Sequence, residues 1–526
     1  MSTMRIGIDV GGTNTDAVVM DGQRVVTCAK TATTKDVLTG ILTVLRTVLA
    51  ECPATAVNAV MLGTTHFANA LVERDRLSKT AVLRLGLPYG AALPPFVDFP
   101  AELREVIRGP VYLLPGGHEF DGREITPFDE SRVRAAAREI RAAGIRTAVV
   151  SSPFSPINDE MERRAADILY EECPGIRVTI SADIGSVGLL ERENAAILNA
   201  SLVLLAEEIV DALEQALRSL GLTCPFYLTQ NDGTLMNADY ARRFPVLTIS
   251  SGPTNSMRGA SYLSGLKNAI VIDVGGTTAD VGVLVNGFPR PAARTTELAG
   301  VRTNFRMPDV YSLGLGGGSR VRFAEDGTPV IGPTSVGYRI REEALIFGGS
   351  TLTMTDVVVA AGLAEIGDPS RVPLTPQEAQ RVLDKADEML AECVDRMKPS
   401  RADMPAVVVG GGSILIRDSL KGVSTIVRPE YHAVANAIGA AIAQVGGEVD
   451  RVYSFEGRSR ESVLNEAKEQ AILRAMEAGA DPATIEIVEL QEIPLAYLPS
   501  RASRIRVKAI GELKGARVND LVTDGR

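Results

Sequence analysis

Asp9-Val10-Gly11-Gly12-Thr13-Asn14-Thr15-Asp16 and Asp273-Val274-Gly275-Gly276-Thr277-Thr278-Ala279-Asp280 are two copies of one phrase, set about half a chain apart. Each follows a short apolar run, Ile6-Gly7-Ile8 or Ile270-Val271-Ile272, and precedes a second apolar run. A hairpin dipeptide then comes next, Asp21-Gly22 in one copy and Asn286-Gly287 in the other. The spacing predicts strand, tight Gly-Gly turn, strand, turn, strand, twice over. Glycine at such a turn lets the backbone approach a ligand closely, and successive N–H groups with Thr hydroxyls form a concave anion site. The leading Asp of each copy is placed to hold a hydrated Mg²⁺ or to orient a water. Two such loops facing across a cleft would clamp a polyphosphate from both sides.

Working outward, 526 residues are too many for one core and predict two to four domains. A composition of 45% hydrophobic and 23% charged residues is that of a globular protein. The formal net charge of −10 argues against nucleic acid or an anionic membrane as the main partner, but not against a nucleotide, which needs only local donors. The five cysteines (Cys28, Cys52, Cys173, Cys224, Cys393) contain no C-x-x-C pair, which disfavours a disulfide framework or a thiolate cluster. The first strand begins about five residues in, where a cleavable leader would destroy the first loop. The longest apolar helical stretch, near 435–445, is about half of what a bilayer requires. The expectation is a cytoplasmic protein.

Apolar spacing predicts helices over 37–51, 130–143, 159–172, 189–220 and 255–263, and strands over 57–62, 80–86, 147–151, 176–181, 226–229 and 246–249. The Pro- and Gly-rich stretch 87–128 reads as an irregular surface excursion. Two further glycine clusters stand out, Gly314-Leu315-Gly316-Gly317-Gly318-Ser319 and Val407-Val408-Val409-Gly410-Gly411-Gly412-Ser413, the latter behind a buried strand. Asn436-Ala437-Ile438-Gly439-Ala440-Ala441 reads as a tightly packed helix of small residues. The tail, with a charged helix over 456–478 and strands over 484–490 and 504–510, is expected to form a small α+β appendage with a loose last dozen residues.

The order of these segments resembles the actin/Hsp70/sugar-kinase (ASKHA) superfamily of ATPases and, within it, the hydantoinase A/5-oxoprolinase family. Gly63-Thr64-Thr65-His66-Phe67-Ala68-Asn69-Ala70, Glu191-Arg192-Glu193-Asn194, Asn231-Asp232-Gly233, Ser251-Gly252-Pro253 and Gly316-Gly317-Gly318-Ser319 carry the narrower resemblance, across roughly residues 5–450. Ala68 stands where long members carry a third Thr, and Asn231-Asp232-Gly233 where Asn-Gly-Gly is commoner. The resemblance implies an α/β, two-lobed actin-like ATPase fold with duplicated ribonuclease-H-like cores and the C-terminal appendage. The expected domains are 1–190, 191–450 with its last helix returning to the first lobe, and 451–526.

It also implies ATP-dependent opening of a cyclic amide such as a hydantoin or 5-oxoproline ring. Phosphorylating the amide oxygen turns a poor electrophile into one that water attacks, and phosphoryl transfer is mainly positioning and charge neutralisation. A second, B-type polypeptide is the implied partner for hydrolysis, and a homo-oligomer stays open. Gly11, Gly12, Thr13, Asn14, Thr15, Gly275, Gly276, Thr277 and Thr278 are assigned to the ATP phosphates. Asp9 and Asp273 are assigned to Mg²⁺ or to the attacking group, while Asp16 and Asp280 are equally readable as turn braces. Gly410, Gly411, Gly412 and Ser413 resemble the adenosine turn, and Gly316 and Gly317 would touch nucleotide or substrate. Thr64, Thr65 and His66 are the substrate-side candidates, His66 as polariser or proton carrier or as a structural hydrogen bond. Arg192 either holds substrate or belongs to a capped, solvated helix start. No His/Asp/Glu cluster has metal-ligand spacing, so the one metal inferred arrives with the nucleotide. Two other readings stay open: the ATP-binding subunit of a ketone carboxylase, and an Hsp70-like reactivating ATPase. A radical-enzyme activase is disfavoured by the missing cysteine pair, and a sugar kinase by the segments between the two loops.

Overall fold

The computed structural model describes residues 4–33, 37–292, 296–495 and 502–513. The first repeat forms the antiparallel meander β1 (Met4–Val10), β2 (Asn14–Asp21) and β3 (Arg24–Ala32), in a register that sets Asp9 opposite Asp16 and Val10 opposite Thr15. Helix α1 (Val37–Leu49) packs Ile41, Val44, Leu45 and Val48 onto it, and β4 (Val57–Gly63) returns parallel to β1. Helix α2 (His66–Glu73) follows.

A smaller parallel sheet comes next, built from β5 (Thr80–Leu87), β6 (Arg108–Pro115), β7 (Thr147–Ser151) and β8 (Arg177–Ile180) in the order β6-β5-β7-β8. Helices α3 (Ala101–Ile107), α4 (Glu130–Ala142) and α5 (Glu160–Glu172) connect its strands. The stretch 87–128 is therefore not wholly irregular, since it contains α3 and β6. Its prolines sit where proline is tolerated: Pro100 precedes the first turn of α3, and Pro110 lies in an edge strand.

After α6 (Ser181–Ile184), the 31-residue α7 (Leu189–Ser219) runs through the core. Strand β9 (Phe226–Thr229) pairs parallel with β4, and β10 (Leu235–Asn237) antiparallel with β9. Helix α8 (Ala238–Arg243) follows. The strand expected over 246–249 is instead a 3₁₀ turn, Pro245–Thr248, whose proline sets φ and withholds the N–H a ladder would need. Helix α9 (Ser251–Ser264) starts earlier than the apolar spacing suggested, with Gly252-Pro253 in its first turn.

The second repeat gives β11 (Ala269–Val274), β12 (Ala279–Val285) and the two-residue β13 (Phe288–Pro289). Hairpins β14 (Thr296–Leu298)/β15 (Val301–Thr303) and β17 (Ser319–Phe323)/β18 (Pro329–Ser335) flank β16 (Val310–Leu313), which pairs with β12. Helices α10 (Ile340–Glu343), α11 (Met354–Ala360) and α12 (Pro376–Met397) lead to the parallel strands β19 (Met404–Val409) and β20 (Val423–Val427). The order β13-β12-β11-β19-β20 repeats that of β3-β2-β1-β4-β9.

Helix α13 (Ala435–Ala441) joins the two cores, because it lies on β1 and crosses α9 at backbone contact. A Cβ on Gly7 would overlap Ala437, one on Gly259 would overlap Ala435, and one on Gly439 would overlap Asn255. The chain then returns through β21 (Val445–Ser454), α14 (Arg460–Glu477), β22 (Glu486–Pro494) and β23 (Ala502–Gly511). These strands extend the first sheet to nine, β22-β23-β21-β10-β9-β4-β1-β2-β3, and do not stand apart as an appendage. Likewise β9 and β10, from the segment expected in the second lobe, run in the first sheet. The last dozen residues lie outside the described ones.

Candidate functional site

The two Gly-Gly turns are built alike. Gly11 N donates to Asn14 O and Gly275 N to Thr278 O, both at 2.9 Å. They face one another so closely that a Cβ on Gly276 would stand 2.6 Å from Thr13 Oγ1. Around them opens a cleft of about 500 Å³, lined by 11–14, 275–278, Gly317 and 410–412 together with Asp9, Asp16, Asp273 and Asp280. Thr15 is the exception in its loop: it is wholly buried beneath the turn, its hydroxyl 3.2 Å from that of Thr33.

The turn after β19 closes one side. Gly410 has φ +86° and a Cβ there would overlap Asp273, so two independent constraints require glycine. Gly412 N donates to Val274 O at 2.7 Å, tying this turn to the second loop. Ser413 is buried and Ile414 lines the cleft beside it. The other glycine cluster braces the second loop from outside: Gly317 N and Gly318 N donate to the carbonyls of Gly275 and Gly276, at 3.1 and 2.7 Å. A Cβ on Gly316 would stand 2.6 Å from Thr277 N, and Gly317 reaches the cleft.

Four carboxylates share this space. Asp9, at the end of β1, is 4% exposed and accepts from Asn255 Nδ2 at 3.2 Å and from Asn436 Nδ2 at 3.0 Å. The same Asn436 amide reaches Asp16 Oδ2 at 3.1 Å, while Lys30 Nζ lies 2.9 Å from Asp16 Oδ1 and donates to Ala433 O. Burial, with Asp16 and Asp273 nearby, pushes the Asp9 carboxyl up to about 6. Burial likewise raises Asp280 to about 6 against a 2.5 Å bond from Ser312, and raises Asp273 and Asp16 despite Ser256 and Lys30 respectively. Lys30 and the exposed Arg341 are the cationic side chains on this lining, and against four desolvated carboxylates they leave the cleft short of positive charge. That is the environment a divalent cation relieves, and the one an unescorted polyphosphate avoids.

Gly63 ends β4 directly against Asp9, where a Cβ would overlap that carboxylate and Asn255. The following Thr65 lines the cleft and donates to Val10 O at 3.3 Å, whereas Thr64 is buried with its Oγ1 2.6 Å from His66 Nδ1. His66 opens α2 and is half-buried, one residue past the cleft lining. Arg192 lies elsewhere. It is fully buried, its guanidinium donating to Ser181 Oγ at 3.0 Å, to Ser186 O at 3.1 Å and to Ser152 O, with Glu162 close by. It therefore fits neither the solvated helix start nor a residue of this cleft. Its neighbour Glu193 forms a buried pair with Arg84, so the start of α7 is an internal polar core.

Sequence reasoning passed over Asn255, Asn436, Lys30 and Ser256. A signal existed for Asn436, an amide in the first turn of a helix otherwise made of Ala, Ile and Gly, where an unpaired polar group would be costly. Lys30, on an exposed-alternating strand, carries none.

Residues 5–173 match the hydantoinase/oxoprolinase N-terminal region, and residues 192–368 match hydantoinase/oxoprolinase. The chain belongs to the hydantoinase/oxoprolinase family. Among curated family relatives, the caprolactamase subunit alpha of Pseudomonas jessenii is 26% identical over 385 residues, 68% of this chain and 54% of that protein. The acetone carboxylase beta subunit of Xanthobacter autotrophicus is 25% identical over 533 residues, 89% of this chain and 74% of that one. The chain thus spans about half the length of the caprolactamase subunit. The mixed α/β fold is that of the crystal structure of ATP-dependent caprolactamase from P. jessenii, with a TM-score of 0.76 at 19% identity over 99% of this chain and 89% of that one. It also matches nucleotide-free acetone carboxylase, with a TM-score of 0.69 at 18% identity, covering 98% and 89% of the two chains. Among the described residues, no helix is long and apolar enough to cross a membrane, and the five cysteines are free.

Proposed function

We propose that this family member binds Mg-ATP between its two Gly-Gly-Thr loops and transfers the γ-phosphoryl group to the carbonyl oxygen of a small cyclic amide, preparing the ring for hydrolytic opening. The observation that carries this reading is the opposed pair of loops with the buried Asp9 between them. The repeated 3-2-1-4-5 strand order supports duplicated ribonuclease-H-like cores of the ASKHA kind, with the nucleotide held where the two cores meet. On this reading the lobes divide by sheet: β1–β4, β9, β10 and β21–β23 with the small parallel sheet form one, and β11–β20 the other.

The donor set fits Mg²⁺ better than a metal caged by protein alone. No group of three or more His, Cys, Asp or Glu side chains among the described residues is arranged to hold an ion. Asp9, buried, and Asp273, half-buried with Lys30 in its surroundings, would hold the ion through water. When bound, Mg²⁺ supplies charge neutralisation at the β- and γ-phosphates. The backbone N–H groups of 11–13 and 275–277, with the hydroxyls of Thr13, Thr277 and Thr278, hold the phosphates, and the 410–412 turn with Ile414 meets the adenosine. Asp9, oriented by Asn255 and Asn436, aligns the attacking oxygen. Its bond to γ-phosphorus forms as the bridging bond to ADP breaks. A first water adds at the activated carbon and the ring C–N bond breaks with a proton going to nitrogen, leaving an acyl phosphate. A second water adds at that carbonyl carbon, and the free carboxylate forms as its C–O bond to phosphate breaks. Thr65 lines the reacting end, and His66, the next residue, would carry the proton to the ring nitrogen with its Nδ1 fixed by Thr64. The water steps are assigned to a second polypeptide, in keeping with the subunit names of the curated relatives. The length of the acetone carboxylase match favours one second reading, the ATP-binding subunit of a ketone carboxylase.

Mg-ATP at 100 times its Kd should stabilise the protein by about 2.7 kcal/mol, read as a rise in Tm. Asp9→Ala should remove turnover while the fold persists. An unmoved Tm with both Mg-ATP and Mg-ADP would refute the nucleotide site. Turnover stimulated by ketones and not by cyclic amides would select the second reading.

A further inference from the structure

The carboxyl ends of β1, β4 and β9 lie along one edge of the first sheet, the edge where ligand sites of parallel sheets form. Asp9 and Gly63 occupy it at the nucleotide cleft. Further along, past the end of β9, the same edge holds a separate cavity of about 100 Å³. Ser186, Asn231, Arg306, Glu448, Arg451 and Arg474 are among its walls. It shares Asp183, Tyr240, Arg451 and Arg474 with an outer hollow of about 300 Å³ between α8 and α14. Neither has a lining residue in common with the nucleotide cleft. The partition between them includes Asn255, which donates to both Asp9 and Thr229 Oγ1, and Thr254, whose hydroxyl donates to Asn231 O.

The two compartments differ in charge. Around the inner one the charges balance: Arg306 is shared by Glu448 at 3.0 Å and Glu489 at 2.9 Å, Asp450 in turn takes both Arg504 and Arg506, and Asp232 pairs with Lys508 at 2.9 Å. Among the described residues, the buried donors Ser186 Oγ and Arg451 Nε on its walls nonetheless have no partner. Buried polar groups are normally satisfied, so orphaned donors on a cavity wall point to an absent acceptor. In the outer hollow, Arg163, Arg243, Arg451 and Arg474 face Asp159, Asp183 and Glu477. Asp159 serves both Arg163 and Arg451, and Asp183 serves Arg163 at 3.0 Å and Arg474 at 3.9 Å. Arg243 is exposed and stacks on the Phe244 ring, 5.0 Å from its centroid, and among the described residues no carboxylate pairs with it. The hollow therefore carries one positive charge in excess.

We propose that this double cavity is a second small-molecule site, for an amino-acid-sized carboxylate that also carries a neutral amide. The carboxylate lies in the outer hollow against Arg243 and Arg451, and the amide enters the inner cavity against Ser186 and Asn231. A guanidinium fork recognises a carboxylate by paired hydrogen bonds, and the charge-matched inner cavity favours an uncharged polar group over a second ion. The site is independent of the phosphoryl-transfer reading and binds without displacing nucleotide.

Equilibrium binding of N-acetylglycine to the full chain tests this, with N-acetylglycinamide as the probe lacking the carboxylate and propionate as the one lacking the amide. N-acetylglycine should bind with a Kd of about 1 mM or tighter. Each truncated probe should bind at least about tenfold more weakly, a difference of about 1.4 kcal/mol. Arg243→Ala, at an exposed position whose loss leaves Tm unchanged, should weaken N-acetylglycine by a similar factor, and so should Ser186→Val, which fills the inner cavity. Saturating Mg-ADP should leave the binding in place. The proposal is overturned if N-acetylglycine shows no saturable binding, if N-acetylglycinamide binds equally well, if folded Arg243→Ala binds like wild type, or if Mg-ADP competes.

Discussion

Asp9 combines three constraints in one side chain: it ends a buried strand, two amides from distant helices hold it, and other carboxylates crowd it. Because its folded pKa is raised to about 6, the native state binds a proton there more tightly than the unfolded chain does. Its contribution to stability is therefore favourable below the unfolded value near pH 4 and is lost as pH rises through 6. In nucleotide-free protein, the stability of Asp9→Asn relative to wild type should climb between pH 4 and 6.5, by about 2–3 kcal/mol for a shift of this size, and level off above. Denaturant titrations across that range check it, and a flat difference would show that Asp9 is not held in an unfavourable charged state. His66 makes a different prediction. If it carries the proton to the ring nitrogen, His66→Ala should lower substrate-stimulated ATP turnover by about 10²–10⁴-fold with nucleotide affinity unchanged. A lower Tm with normal turnover per folded molecule would reduce it to a partner for Thr64. At this scale the sequence showed the loop residues and the leading aspartates, whose chemistry is local to each turn. It did not show Asn255 and Asn436, which meet Asp9 because two helices from different parts of the chain cross there. Nor did it show that Arg192 is consumed by Ser152, Ser181 and Ser186, since a buried arginine and a ligand-facing one look alike in sequence.

Among the elements, the crossing of α9 and α13 positions the site. Gly259 and Gly439 remove the Cβ atoms that would separate the helices, and the close approach delivers Asn255 and Asn436 to the same carboxylate. Gly439→Ala would push its methyl into the backbone of α9 at Asn255, so it should cost about 1–3 kcal/mol or more, as overpacking does. The same shift should weaken Mg-ATP binding through Asn255. Measuring Tm and nucleotide affinity on one preparation checks both, and a variant that loses neither would show that the crossing is looser than described. The β-hairpin repeats were legible because alternation and Gly-Gly turns are short-range signals. The 3₁₀ turn at Pro245–Thr248 was not, because Val246–Ile249 reads as a buried strand unless the preceding proline is given priority.

Over the whole molecule, the two similar strand orders were foreshadowed by the duplicated phrase, but the way they share the chain was not. Strands β9, β10 and β21–β23 join the first sheet through pairings such as Val445 with Leu235 and Val449 with Val507, which span large gaps in sequence and leave no periodic trace. The C-terminal segment therefore belongs to the first sheet, and the edge that carries Asp9 continues into it. On the proposed reading, the loops between the two cores hold the phosphates and ring hydrolysis falls to another polypeptide. The most direct test of that account uses 5-oxoproline, hydantoin and caprolactam labelled with ¹⁸O at the ring carbonyl, incubated with Mg-ATP, this chain and the polypeptide that supports ring opening. Transfer of the phosphoryl group to the amide oxygen predicts that phosphate released with ring opening carries ¹⁸O from one of these rings. Ring opening accompanied only by unlabelled phosphate would contradict it.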